Sequence, residues 1–146
     1  MDGILPVDLL DILPVDLFDK GIDLSPIGYE GRGFYAKDLV CVADILIEHN
    51  MVVVGGEAHH FEGDRLVMSN HMDEFWDFQW DHNAVYEEYV ARSVKYMLEY
   101  VEKTKHKKNY IYAAIVADRA RFYIASNYAA VINRWSNREW VGQDFI

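Results

Sequence analysis

The chain is poor in cysteine, in positive charge over most of its length, and in long apolar runs. Its 146 residues hold one cysteine, Cys41. A disulfide framework or a cysteine metal cage within one chain is therefore excluded. No apolar run approaches the roughly 18 residues of a membrane span. The opening Met1-Asp2-Gly3-Ile4-Leu5-Pro6 carries an acid and no early Lys or Arg, unlike a secretory signal, so the cytoplasm is the expected compartment. Recognised catalytic signatures are missing too. There is no Gly-x-Ser-x-Gly elbow, no phosphate loop, no His-Glu-x-x-His and no calcium loop. Gly31-Arg32-Gly33 lacks the βαβ surroundings of a dinucleotide site.

Positive charge is scarce in a particular place. Residues 1–88 hold 19 acids and 4 bases, a net of −15, whereas residues 89–146 hold 5 acids and 10 bases, a net of +5. The whole chain carries −10. A broad nucleic-acid-binding face is disfavoured, because neutralising phosphates needs a basic surface. Two readings of the acidic half remain: solubility, or a face complementary to a basic partner.

What is abundant is apolar and aromatic material, 51% hydrophobic residues with 21 aromatics. That suffices for the core of one domain and excludes wholesale disorder. The N-terminal stretch repeats itself. Residues 4–11, Ile-Leu-Pro-Val-Asp-Leu-Leu-Asp, recur as residues 12–19 with one change, Leu10 to Phe18. Two copies of eight are too few for a solenoid. Residues 1–21 are read as an arm, its prolines Pro6 and Pro14 discouraging helix just before them. Residues 22–146 are read as a single domain.

Within that domain, residues 21–33 read as loop, with four glycines and Pro26. Leu39, Val42, Ala43, Leu46 and Ile47 share one face of a helix over 36–49, with Cys41 expected buried and inert and Asn50 as a left-handed cap. Met51 to Val54 form a β-branched strand continuing through Gly55-Gly56 to Phe61. Glu62-Gly63-Asp64 then turn it back along 65–69. Paired glycines there suggest a bulge or a close backbone approach. The clearest helix is 84–103, with a stripe of Tyr86, Val90, Val94, Met97, Leu98 and Val101 and Asn83 as its expected cap. Residues 110–117 read as a central strand, 121–126 as its antiparallel neighbour and 128–135 as a short helix. The sum is an α+β fold, a small and largely antiparallel sheet against two main helices.

Two constellations could carry function. Glu57 and His59 share one face of their strand, while His60 points the other way. A Glu/His pair can move a proton, or a half-buried histidine can simply be hydrogen-bonded in place. The second is the segment from His71 to His82, four acids interleaved with four aromatics. Its ligand types suit a metal, but its spacing matches no metal motif. Its aromatics could be core with solvated acids between them. They could also anchor a protein interface with a charged rim. On the last reading Trp76 and Trp80 fill pockets while Asp73, Glu74, Asp77 and Asp81 meet bases on a partner.

With these residues in view, the chain resembles the immunity protein 40 family of bacterial polymorphic and contact-dependent toxin systems. The similar features are the helix-then-strand run from Leu39 to Val54, the Gly55-Gly56-acid step, the tryptophan-bearing acidic segment and the helix after it. The likeness spans about residues 22–135 and omits the repeat. The family pattern has Asp after the two glycines, where this chain has Glu57. The resemblance implies a non-catalytic protein that binds the C-terminal domain of one cognate toxin, a nuclease being one such target. Glu57, Asp73, Glu74, Trp76, Asp77, Trp80 and Asp81 are the candidate partner-binding residues. No cofactor, nucleic-acid or membrane partner is expected, and the oligomeric state is left open. Two rivals stand beside it: a small metal-dependent enzyme using Glu57/His59 or the 71–82 cluster, and an acidic nucleic-acid mimic that blocks a host enzyme.

Overall fold

A computed structural model of the chain describes residues 9–79 and 84–122. Two short helices come first, α1 (Leu9–Ile12) and α2 (Val15–Lys20). Pro14 stands between them, where its ring ends one helix and its fixed φ begins the next. Spacing of four residues puts Leu9, Leu13 and Leu17 into the main core, so the described part of the arm is docked. The glycine-rich stretch is more ordered than a loop. It holds strands β1 (Ile22–Asp23) and β2 (Arg32–Tyr35) around a 3₁₀ turn at Ser25–Ile27.

Helix α3 (Ala36–Glu48) follows and ends with Asn50 at φ 55°, as expected of a left-handed cap. Cys41 is exposed on it, contrary to expectation. The apolar run 39–43 is wider than one helix face. Leu39, Val42 and Ala43 turn inward, whereas Val40 and Cys41 turn out. Strand β3 (Val52–Glu62) turns into β4 (Arg65–Val67), then β5 (Phe75–Asp77). Helix α4 (Tyr86–Thr104) begins after Val85, whose side chain makes no capping bond. The cap expected at Asn83 lies outside the described residues. The last strand is β6 (Ile111–Ala117). Residues 119–122 are helical and Phe122 N–H donates to Asp118 O, so the strand expected at 121–126 is not formed at its start. The rest of that stretch, and the helix expected at 128–135, lie outside the described residues.

The sheet runs β1-β2-β6-β3, with β4 and β5 sharing the far side of β3. Every pairing is antiparallel. The fold is thus α+β, as expected. The register slips between Val53 and Gly55, a bulge at the expected place. There the Val53 N–H donates to Ser93 Oγ of α4 at 2.9 Å, so that donor is satisfied.

The helices cover one face of this sheet. Phe34, Ala58, Trp76 and Tyr112 point to α3 and α4 and join Leu39, Leu46 and Met97 in the core. On the other face, Leu24 and Ile27 of the β1–β2 connection cover Ile111 and Leu66. That second cover is short. Among the described residues it leaves part of the sheet bare, and the candidate site lies there.

Candidate functional site

Register decides what stands beside what. Glu57 is opposite Phe75 on β5 and opposite Ala113 on β6; Gly55 is opposite Asp77 and Ile115. Residues directly opposite in an antiparallel pair point to the same face, with Cβ atoms about 4.5–5.5 Å apart. The bare part of the sheet therefore carries Asp77, Phe75, Glu57, Ala113 and Ile115 as neighbours. Phe75 is 43% exposed and Ile115 54%. Tyr29, 36% exposed, leans over from the β1–β2 connection and its hydroxyl reaches Glu57 Oε1 at 3.3 Å. An open groove of about 490 Å³ runs between Tyr29, Glu57, Ala113 and Ile115 and the residues of α1.

Below this surface is a polar chain. His59 is fully buried. Its Nδ1 accepts from the Ser69 N–H at 3.0 Å, while Ser69 Oγ donates to Ala58 O at 2.7 Å. An accepting Nδ1 places the ring proton on Nε2. That nitrogen lies 3.0 Å from Glu57 Oε2, yet off the line a hydrogen bond needs, and no other group satisfies it. Burial pushes the His59 pKa below its ordinary 6.5, against the pull of the Glu57 charge, so the ring is neutral at neutral pH. Burial, with the Glu57 charge added, raises the Tyr29 phenol, which stays a donor.

The segment 71–82 is divided by the fold. Asp77 joins the bare face. Trp76 points the opposite way, buried, with its ring stacked on Tyr100 at 4.8 Å. The two glycines make that possible. A Cβ on Gly56 would collide with the Trp76 indole, and one on Gly55 would lie 2.6 Å from Trp76 O. Glu74 is buried in a nest of donors: Asn70 N–H at 3.2 Å, His71 N–H at 3.4 Å and Tyr110 O–H at 2.9 Å. Burial alone would raise its carboxyl; those donors and the Lys108 ammonium outweigh it, and the pKa falls below its usual 4.5. Asp73 is exposed at the end of α4, with Lys107 3.5 Å away and its carbonyl accepting from Tyr100. Trp80 and Asp81 lie outside the described residues.

Of the candidates, then, Glu57 and Asp77 come together, whereas Asp73, Glu74 and Trp76 are directed elsewhere. Phe75 was one aromatic among several in the sequence. Its place opposite Glu57 follows only from pairing. Ile115 and Tyr29 carried no signal, one being an apolar residue in an apolar strand and the other an aromatic in a glycine-rich loop. His59 cannot reach a substrate, and among the described residues no three His, Cys, Asp or Glu side chains converge as a metal site. Among the described residues no helix is long and apolar enough to cross a membrane.

Comparison with known proteins agrees with a binding role. No curated protein and no solved structure matches the chain. A family model does: that of immunity protein 40, matching residues 23–117, from β1 to the last residue of β6. The match covers the described sheet except Ile22, and both long helices, and the chain belongs to the immunity protein 40 family.

Proposed function

We propose that this protein binds one cognate toxin domain in the bacterial cytoplasm and neutralises it through the bare face of its sheet, without catalysis. The observation that carries this is the exposure of Phe75 and Ile115 on either side of Glu57, with Tyr29 and Asp77 adjoining, in a member of an immunity family. Large apolar side chains left in water beside a few polar groups are what protein interfaces are made of. Aromatic anchors would slow dissociation, where most affinity tuning lies. The surplus of acid over residues 1–88 would raise the rate of encounter with a basic partner. A nuclease, whose groove for phosphate is basic, fits that charge. Trp76 and Glu74 act from beneath by holding β5 in register. Asp73 would extend the contact, and Trp80 and Asp81 stay candidates from the sequence.

The test is protection and binding together. The toxin domain encoded beside this chain is produced with the wild-type protein or with a Phe75→Ser, Ile115→Ser double variant. Wild type should rescue growth and bind 1:1 in calorimetric titration, more weakly as salt rises. The double variant should lose protection while melting as wild type does. Undiminished protection by the double variant would move the interface to another surface.

A further inference from the structure

Among the described residues five acids are answered by bases. Asp73 meets Lys107, Glu74 meets Lys108, Glu87 meets Arg119, Glu88 meets Arg92 and Glu102 meets Lys105. Glu57 differs. Among the described residues its ion-pair neighbour is only His59, which is neutral, and its one hydrogen bond is a long one from the Tyr29 hydroxyl. Arg32 lines the same groove but is turned away, donating to Gly21 O at 2.9 Å with its guanidinium 4.1 Å above the Phe18 ring.

We infer that Glu57 is the floor of a socket for an arginine side chain of the toxin, a reading that rests on the proposed immunity function. Three features fit. The carboxylate is 18% exposed, so it is desolvated enough to hold a charge strongly and still reachable. A carboxylate has about four acceptor positions. Tyr29 takes one, which leaves room for the two parallel bonds that a guanidinium makes. The neighbour opposite on β6 is Ala113, whose small side chain leaves space beside the carboxylate, while Tyr29, Phe75 and Ile115 stand around it as walls. A planar cation stacks on such rings. Finally, His59 Nε2 is buried and lies 3.0 Å from Glu57 Oε2, but out of line for a hydrogen bond. A polar atom left so is costly unless something completes its surroundings. An arginine drawing the carboxylate into a fixed rotamer would bring Oε2 into line with that N–H and complete the chain Ser69–His59–Glu57.

The experiment is calorimetric titration of the full chain with the neighbouring toxin domain, using wild type, Glu57→Gln and Ala113→Leu. Glu57→Gln keeps the shape and the Tyr29 bond but removes the charge; Ala113→Leu keeps the charge and fills the socket. Melting curves first establish that each variant folds. Glu57→Gln should weaken binding about 30-fold or more, the lower end for cutting one partner from a buried charge pair, and Ala113→Leu should weaken it by filling the space the guanidinium needs. An arginine-to-alanine scan of the toxin should then find one position where Glu57→Gln has no further effect, with lysine restoring only part of the affinity. If wild type binds and Glu57→Gln binds within twofold of it, the socket is overturned and the immunity reading stands. If wild type fails to bind, the immunity reading falls and the socket with it.

Discussion

The two faces of the sheet are built from the same strands and do opposite things. On the covered face Phe34, Trp76 and Tyr112 are each no more than 4% exposed. On the bare face Phe75 and Ile115, next in sequence to buried or half-buried residues, stand 43% and 54% open. Alternation along a strand assigns each neighbour to a different face. One face stores the folding energy. The other is left free of that demand, so its residues can answer to a partner. Two glutamates repeat the contrast. Glu74 has every donor it needs and belongs to the fold; Glu57 has too few and belongs to the surface.

This comparison can be broken or sharpened by substitution. The largest loss is expected from Trp76→Ala, about 3–5 kcal/mol, since it empties the space under the glycines and removes the stack on Tyr100. Urea denaturation measures it, and a loss below about 1 kcal/mol would refute the covered-face role. Gly56→Ala attacks the same contact from the other side. The new methyl meets the indole, and about 1–3 kcal/mol should go.

Glu74→Gln should cost about 1–3 kcal/mol near neutral pH by leaving donors badly matched. It should also change the acid limb. A carboxyl lowered by folding contributes stability that is present above its unfolded value of 4.5 and is lost as pH falls through the folded value. Wild type should therefore lose stability faster than Glu74→Gln below pH 4.5, as followed by melting across pH. His59 acts in a different window. Its lowered pKa means that the unfolded chain takes up the proton first, so stability falls as pH drops below 6.5, and a His59→Gln variant should lack that slope. The smallest effect on stability belongs to the bare face. Phe75→Ser and Ile115→Ser should each stay within about 0.5–1 kcal/mol of wild type in the same denaturation experiment, while toxin binding suffers.

Much of the fold was legible because it depends on near neighbours. The stripe of α4 and its charge order, the β3–β4 turn at Gly63, the cap at Asn50 and the bulge at the paired glycines are all local. The failures have local reasons as well. Cys41 sits in an apolar run wider than a helix face, and at residues 119–122 a helical turn bonded back to Asp118 begins where continued apolar character suggested a strand. The site was legible only in half. Glu57 and His59 share a face by counting, but the cluster at 71–82 looked like one surface, and its described part, 71–79, is divided among three.

The sequence by itself determined an acidic, aromatic-rich α+β domain, a strand carrying Glu57 and His59 on one side, and membership of an immunity family. Tertiary structure alone decided that Phe75 and Ile115 flank Glu57, that Trp76 is core and that Glu74 is satisfied. Periods of 2 and 3.6 are written in adjacent residues. Which strand lies beside which, and in what register, is set by contacts between residues far apart in the chain, and those follow only once the core has closed.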